Sequence, residues 1–172
     1  SARSVDPERI KKVRKASYQE VLSRTTLVNS NGLRFSYKHS LTSLSVTAVA
    51  EESGDSEVGW DFDVSHFFND LDVEKVGRSA GRKALERLGG KRIPTGVYPI
   101  LIRNNVASEF LSLLAHSFLA DQVQKGKSPL KGKQGERIFS PLLTIVDDGL
   151  YPKGISTTPI DGEGMPSQRT SL

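Results

Sequence analysis

The sequence predicts an α+β fold, in which an antiparallel strand meander with flanking helices is followed by a helix and the loop-rich start of a second domain. Three observations predict it. Two short apolar runs flank Asn29-Ser30-Asn31-Gly32, which is the turn chemistry of a β-hairpin. Two alternating segments, SLSVTAVAEE and EVGWDFDVS, are separated by the turn sequence SGDS. The segment LDVEKVGRSAGRKALERLGG has apolar residues at helical spacing instead.

The N-terminal segment DPERIKKVRKASYQEVL predicts a first helix. Asp6 can cap it, Pro7 suits its first position, and Ile10, Val13 and Tyr18 recur at roughly helical spacing. The cations of this segment are expected to form a solvated face: Lys11, Lys12, Arg14 and Lys15.

Residues 25–65 are predicted to form the meander. The last of its strands places its apolar residues on one face: Val58, Trp60, Phe62 and Val64. The helix that follows has Asp72 as its predicted N-cap, and Gly89-Gly90 ends it. Its apolar positions are spaced by three or four residues: Val73, Val76, Ala80, Ala84 and Leu88.

The C-terminal half combines one helix with many loops. The segment IPTGVYPILIR predicts a turn and a buried strand, and a helix follows from Asn104 or Asn105 to about Ala120. One side of that helix is predicted to be core: Ala107, Phe110, Leu111, Leu114 and Phe118. A polar stripe lies roughly opposite: Asn105, Glu109, Ser112 and His116. Beyond it, only Leu142 to Val146 is predicted to be a strand.

Composition excludes several kinds of chemistry. The 172 residues contain no Cys, so disulfides, thiolate metal ligands and thiol catalysis are excluded in this chain. With three histidines, His39, His66 and His116, a metal site would also need carboxylates or a second chain. The net charge of +4 is ordinary, and no apolar run has membrane-spanning length. The sequence predicts a soluble, cytoplasmic polypeptide.

Three groups of residues could carry chemistry, each with a commoner explanation. His116 could be a metal ligand or an acid–base group, although a histidine on a solvated helix face is commoner. A basic stretch could contact phosphate, although a solvated loop is commoner: Lys125, Lys127, Lys131, Lys133 and Arg137. Loop carboxylates could bind a metal, although turn formation is their commoner role: Asp147, Asp148, Asp161 and Glu163.

The run DQVQKGKSPLKGKQGERIFSPLLTIVDDGLYPKGISTTPIDGEGMPSQRT, residues 121–170, resembles the TldD/PmbA family. Upstream, ALERLGGKRIPTGVYPILI is similar to the segment that enters the family's third domain. The resemblance implies that residues 1–92 are a middle α+β domain and 93–172 the truncated start of the C-terminal domain. The family was historically labelled a modulator of DNA gyrase. The resemblance also implies a metallopeptidase complex involved in peptide maturation and proteolysis.

Catalytic subunits of the family carry His-Glu-x-x-x-His on the helix before this run, and they bind a metal that is expected to be zinc. The corresponding positions here begin with Leu111 and Ser112 and end with His116. Leucine cannot coordinate a metal, and serine is no comparable base near neutral pH. The resemblance is therefore to the PmbA-type, or TldE-type, subunit. No catalytic, cofactor or metal residue is carried over, and His116 is a remnant candidate only.

The expected partners are a TldD-type catalytic subunit or a second copy of the chain, together with a peptide substrate. Two alternatives stay open. The chain could be a metallopeptidase in its own right, using His116, loop carboxylates such as Asp147 or Glu163, and ligands outside it. It could instead contact nucleic acid or gyrase through the basic loop 125–137, and such binding would weaken steeply with salt.

Overall fold

The computed structural model describes residues 1–172 and has the α+β fold that the sequence predicts. Two compact units divide the chain. The first comprises residues 1–92 and 149–168, and the second comprises 93–148 and 169–172. The strands are β1 (Ile10–Val28), β2 (Arg34–Glu52), β3 (Asp55–Ser65), β4 (Val146–Asp148) and β5 (Arg169–Ser171). The helices are α1 (Val73–Leu85), α2 (Asn104–Phe118) and α3 (Ala120–Gln124), with a 3-10 turn at Phe68–Asp70. None of them is long and apolar enough to cross a membrane.

In the first unit, β1, β2 and β3 form an antiparallel sheet in chain order. The predicted β1–β2 hairpin is confirmed. The Asn29 side chain closes its turn, because Oδ1 accepts the backbone N–H groups of Asn31 at 3.0 Å and Leu33 at 3.1 Å. Gly32 completes the turn with a φ of 88°. At the β2–β3 turn, Ser53 and Gly54 both have positive φ, which suits the right-handed twist of the hairpin.

The predicted N-terminal helix is wrong, since Ile10–Val28 is strand β1. Two register shifts against β2 explain the misleading spacing, because each adds one residue to β1. Residues on one face of a strand are normally two positions apart, but each extra residue in β1 makes that spacing three. Ile10 and Val13, three positions apart, therefore pair with Ala50 and Ala48, which are two apart. The long-range pairing overrides the local helical preference. The four cations of the segment are exposed, as predicted.

The core of the first unit lies between the sheet and α1. Asp72 caps the helix as predicted, with Oδ1 accepting the N–H of Lys75 at 2.9 Å. Small residues let helix and sheet approach closely. A Cβ at Gly59 of β3 would overlap the backbone of Ala80 and Ala84 on α1. The fully buried apolar residues of this cluster are Ile10, Ala48, Ala50, Ala80 and Ala84.

The opposite face of the sheet carries the apolar side of β3. Trp60 and Phe62 are about half exposed, and their rings stack with centroids 5.0 Å apart. Gly59 and Asp61 face α1, so the helix covers the other face of β3 from Trp60 and Phe62. The alternating sequence pattern correctly groups the apolar residues on one face but does not reveal which face the helix covers.

The second unit contains α2, α3 and a two-stranded antiparallel sheet of β4 and β5. The helix predicted from Asn104 or Asn105 is confirmed as α2. The buried strand predicted in IPTGVYPILIR is wrong, because this segment pairs with no strand and Val97 and Leu101 are fully exposed. The strand predicted at Leu142 to Val146 is displaced to Val146–Asp148, where Thr170 and its neighbours supply a partner. An extended apolar run forms a strand only where a second strand satisfies its backbone.

Candidate functional site

The polar stripe of α2 is exposed and bonded within the helix itself. The Ser112 hydroxyl donates to the Ser108 carbonyl at 2.9 Å, and His116 Nδ1 lies 3.4 Å from the Ser112 carbonyl. The side of α2 predicted to be core is not a core: no α2 residue is buried, and Phe110 and Leu111 are about half exposed. On that side, Ala107, Leu114 and Phe118 are only partly covered.

The side chains at these positions of α2 do not by themselves form a group of three metal ligands. Zinc in proteins takes three or four nitrogen, sulfur or oxygen ligands. Leu111 has no donor atom, and the Ser112 hydroxyl bonds to its own helix. No three His, Asp or Glu side chains of the chain are grouped so that they could hold a metal around His116 or elsewhere.

The loop carboxylates act locally. Asp161 Oδ1 accepts the N–H groups of Glu163 at 2.9 Å and Met165 at 2.8 Å, which is the turn-forming role that is commoner for such residues. In the second unit, Asp148 Oδ2 lies 3.4 Å from Arg169 Nε across the β4–β5 pair. The neighbouring Asp147 is exposed.

The basic loop 125–137 borders a cavity of about 970 Å³ in the second unit. Two of its cations are neutralised locally, since Lys125 lies 3.1 Å from Asp121 and Lys133 lies 2.8 Å from Glu136. Lys133 and Arg137 line the cavity together with apolar residues of the same unit, among them Phe118 and Leu143. These ion pairs weaken the attraction that this loop could exert on phosphate.

Two histidines of the first unit converge on one loop. His66 follows β3, and its Nε2 lies 3.0 Å from the carbonyl oxygen of Gly154. His39 on β2 lies with Nε2 3.2 Å from the carbonyl oxygen of Ile155. The two imidazole rings are 5.0 Å apart in an edge-on arrangement. His66 also directs Nδ1 at the Ser40 carbonyl, at 2.7 Å.

These carbonyl contacts raise the pKa of His66. The Ser40 carbonyl contributes most and the Gly154 carbonyl next, while burial opposes them. The sequence patterns assigned no role to either histidine. The predicted meander could have indicated that residues 39–40 and 65–66 lie side by side, because β2 pairs with β3 up to Thr42 and Ser65. Nothing local in the sequence links them to residues 154 and 155.

Comparison with known proteins places this architecture in one family. Residues 1–88 match the PmbA/TldA metallopeptidase central domain, and residues 95–172 match the PmbA/TldA metallopeptidase C-terminal domain. The chain is 30% identical over 145 residues to the metalloprotease PmbA of Escherichia coli O157:H7, covering 84% of this chain and 32% of that protein. It is 32% identical to the metalloprotease TldD homolog of Haemophilus influenzae, covering 98% and 36%. The chain thus spans about a third of the length of these curated relatives.

Solved structures agree with these matches. A crystal structure from Thermotoga maritima, described as a candidate modulator of a DNA gyrase, superposes with a TM-score of 0.92 at 31% identity. The superposition covers 99% of this chain and 40% of the Thermotoga maritima chain. TldE from Thermococcus kodakarensis shares the fold, with a TM-score of 0.78 at 22% identity, covering 99% of this chain and 38% of its own. The two family models together match almost the whole chain, and a solved structure at 31% identity has the same fold. The chain therefore belongs to the PmbA/TldD metallopeptidase family.

Proposed function

We propose that the chain is part of a PmbA/TldE-type, non-catalytic subunit of a metallopeptidase complex that matures or degrades peptides. The observation that carries the proposal is the donor set on α2. Where catalytic subunits are expected to have His-Glu-x-x-x-His, this chain has Leu111, Ser112 and one exposed histidine, His116. The internal bonding of Ser112 supports the same conclusion, since a hydroxyl committed to the helix backbone is a poor substitute for a glutamate base.

The proposal includes the domain organisation and the setting of the protein. Residues 1–92 are a central domain and 93–172 the start of a C-terminal domain, which is supported by the two domain matches at 1–88 and 95–172. The partner is a TldD-type catalytic subunit or a second copy, the substrate is a peptide, and the compartment is the cytoplasm. Relatives named as metalloproteases support a metal in the family. In the proposed complex, the catalytic subunit holds this metal.

A metal and activity assay on the full-length protein tests the proposal. Zinc content and peptide hydrolysis are measured for this subunit alone, for a TldD-type subunit alone and for their mixture. We expect no stoichiometric zinc and no hydrolysis from this subunit alone. Stoichiometric zinc together with hydrolysis by this subunit alone would overturn the proposal and favour a metallopeptidase in its own right.

A substitution in α2 tests the same point inside the complex. His116→Ala is expected to leave the rate of hydrolysis by the mixed subunits within about twofold of the wild-type rate. The reason is that the His116 side chain is exposed and its ring faces the carbonyl of Ser112 in the same helix. Glu109→Ala is the matched control, since Glu109 is exposed on the same helix. A loss of activity with His116→Ala that is absent with Glu109→Ala contradicts a non-catalytic role.

A further inference from the structure

The loop 149–168 of the first unit is held against the β-sheet at two places. Near the end of the β1–β2 hairpin, the side chains of Leu27 and Leu33 pack on Gly164. Near the end of β3, the attachment is polar, because His39 and His66 contact the consecutive carbonyl groups of residues 155 and 154. The polar attachment depends on which protons the two imidazole rings carry.

The geometry of His66 is selective for one protonation state. Its Nδ1 lies 2.7 Å from the Ser40 carbonyl and its Nε2 lies 3.0 Å from the Gly154 carbonyl. Carbonyl oxygens only accept hydrogen bonds, and a neutral imidazole has a single N–H. Both contacts are therefore hydrogen bonds only when the ring is an imidazolium. In the neutral ring, one nitrogen turns its lone pair towards a carbonyl oxygen.

We propose that His66 is a protonation-dependent latch, whose imidazolium form ties the loop 149–168 to β2 through Ser40 and Gly154 and whose neutral form releases Gly154. The shorter hydrogen bond, to Ser40, retains the single N–H of the neutral ring. The hydrogen bond that breaks is then the one to the loop, so deprotonation loosens the loop while the histidine stays anchored to the sheet.

The surroundings of the ring set the direction of the switch. The ionisable residues nearest to these contacts along the chain are Lys38 and His39 on β2, Asp63 on β3, Asp70 in the 3-10 turn, and Tyr151 and Lys153 on the loop, and the His39 ring lies 5.0 Å from that of His66. The raised pKa of His66 comes from the Ser40 and Gly154 carbonyls and from none of these charges. A histidine whose pKa is raised in the folded state stabilises that state fully below its unfolded pKa of about 6.5. That contribution disappears as the pH rises through the folded pKa.

Hydrogen exchange of the full-length protein tests the latch. Amide exchange in residues 149–168, corrected for intrinsic rates, is expected to be roughly fivefold slower at pH 5.5 than at pH 8.5, as for the removal of one hydrogen bond. The His66→Gln variant keeps a neutral donor, so its exchange in this loop is expected to be independent of pH. The control is His116→Gln, in an exposed histidine of α2, which should retain the pH dependence of the wild type.

Two results would overturn the latch. One is loop protection that does not change with pH in the wild type, and the other is an unchanged pH dependence in His66→Gln. Should that variant fail to fold, histidine-selective NMR of the wild type decides instead. The expected titration midpoint of His66 lies above the ordinary histidine value of about 6.5, with both ring nitrogens of His66 protonated below it. A midpoint equal to or below that ordinary value contradicts the proposal.

Discussion

Single side chains attach α1 to β3 through charges and hydrogen bonds. Lys83 Nζ lies 2.9 Å from Asp61 Oδ1, and both side chains are about three-quarters covered. Asp63 Oδ2 accepts the N–H of Asp72 at 2.9 Å, directly at the N-cap of the helix. Asp55 Oδ2 accepts the N–H of Gly89 at 2.8 Å, just beyond the helix. The carboxylates on the inner face of β3 thereby fix the position of α1.

The Asp61–Lys83 pair predicts an acid-dependent loss of stability. Burial raises the pKa of Asp61, but hydrogen bonds from Ser79 and Lys83 outweigh it, so that the folded pKa lies below 3.8. A lowered folded pKa contributes stability above the unfolded pKa, and this contribution is lost as the pH falls from about 5 through the folded value. We expect Lys83→Met to lower the free energy of unfolding by about 0.5–1 kcal/mol at pH 7.

Urea unfolding at pH 7 and pH 3 measures this effect. The difference between Lys83→Met and the wild type should shrink at the lower pH, because the unfolded chain binds a proton at Asp61 below an unfolded pKa of about 3.9 and the contribution of the ion pair then falls. Lys125→Met is the matched control, because the side chains of Lys125 and its partner Asp121 are each about half exposed. This variant should change the free energy of unfolding little at either pH. If Lys83→Met lowers the free energy of unfolding equally at both pH values, the role assigned to the ion pair is ruled out.

Among the elements, small residues decide how closely α1 packs on the sheet. Ala80 and Ala84 of α1 face the sheet, and Gly59 is the point of closest approach on β3, while the buried Gly77 and Gly81 pack against residues 1–5. A sheet that carried larger side chains there would hold the helix further away and leave voids beside Ala48 and Ala80. Close packing of small residues therefore gives this thin core its density.

Gly59→Ala is expected to reduce the free energy of unfolding by about 2 kcal/mol. The added methyl group would meet the Ala80 carbonyl oxygen and the Ala84 nitrogen, which are backbone atoms that can move only with the helix. Thermal or urea unfolding measures the change. Gly162→Ala is the control, since nothing lies within 4 Å of its added Cβ. Equal stability of the two variants would mean that α1 does not pack on β3 in this way.

Across the whole molecule, burial is concentrated in the first unit. Helix α1 buries Val76, Gly77, Ala80, Gly81 and Ala84, whereas α2 and α3 bury no residue completely. In the second unit, the apolar residues at 97 and 100–102 stay exposed. Since hydrophobic burial is the main favourable term in folding, we expect the two units to differ in local stability.

Hydrogen exchange of the 172-residue chain measures that difference. We expect the amides of residues 77–85 in α1 to exchange at least roughly tenfold more slowly than those of residues 108–118 in α2, after correction for intrinsic rates. A low concentration of urea should narrow the gap, because the free energy of an opening falls with urea in proportion to the surface exposed, and local opening of α2 exposes less surface than the larger unfolding that exposes α1. Comparable protection of both helices contradicts the assignment of the core to the first unit.

Elements that depend on neighbouring residues were predictable from the amino-acid sequence alone. The turn at Asn29–Gly32, the Asp72 cap and the spacing of α1 all rest on contacts within a few residues, and all three are confirmed. The family was also predictable, because its motif is a continuous run of the chain. For the same reason, Leu111 and Ser112 could be assigned from the sequence to the positions where the family's catalytic motif begins.

Features that depend on distant partners emerged only from the three-dimensional arrangement of the chain. The strand β1 exists because β2 satisfies its backbone, and its two bulges hide the strand period behind helical spacings. Residues 97–102 pair with no strand and form none themselves. The contacts of His39 and His66 with the loop join residues that are 116 and 88 positions apart. Local patterns report on neighbours in sequence, while pairing, burial and the protonation of His66 depend on neighbours in space.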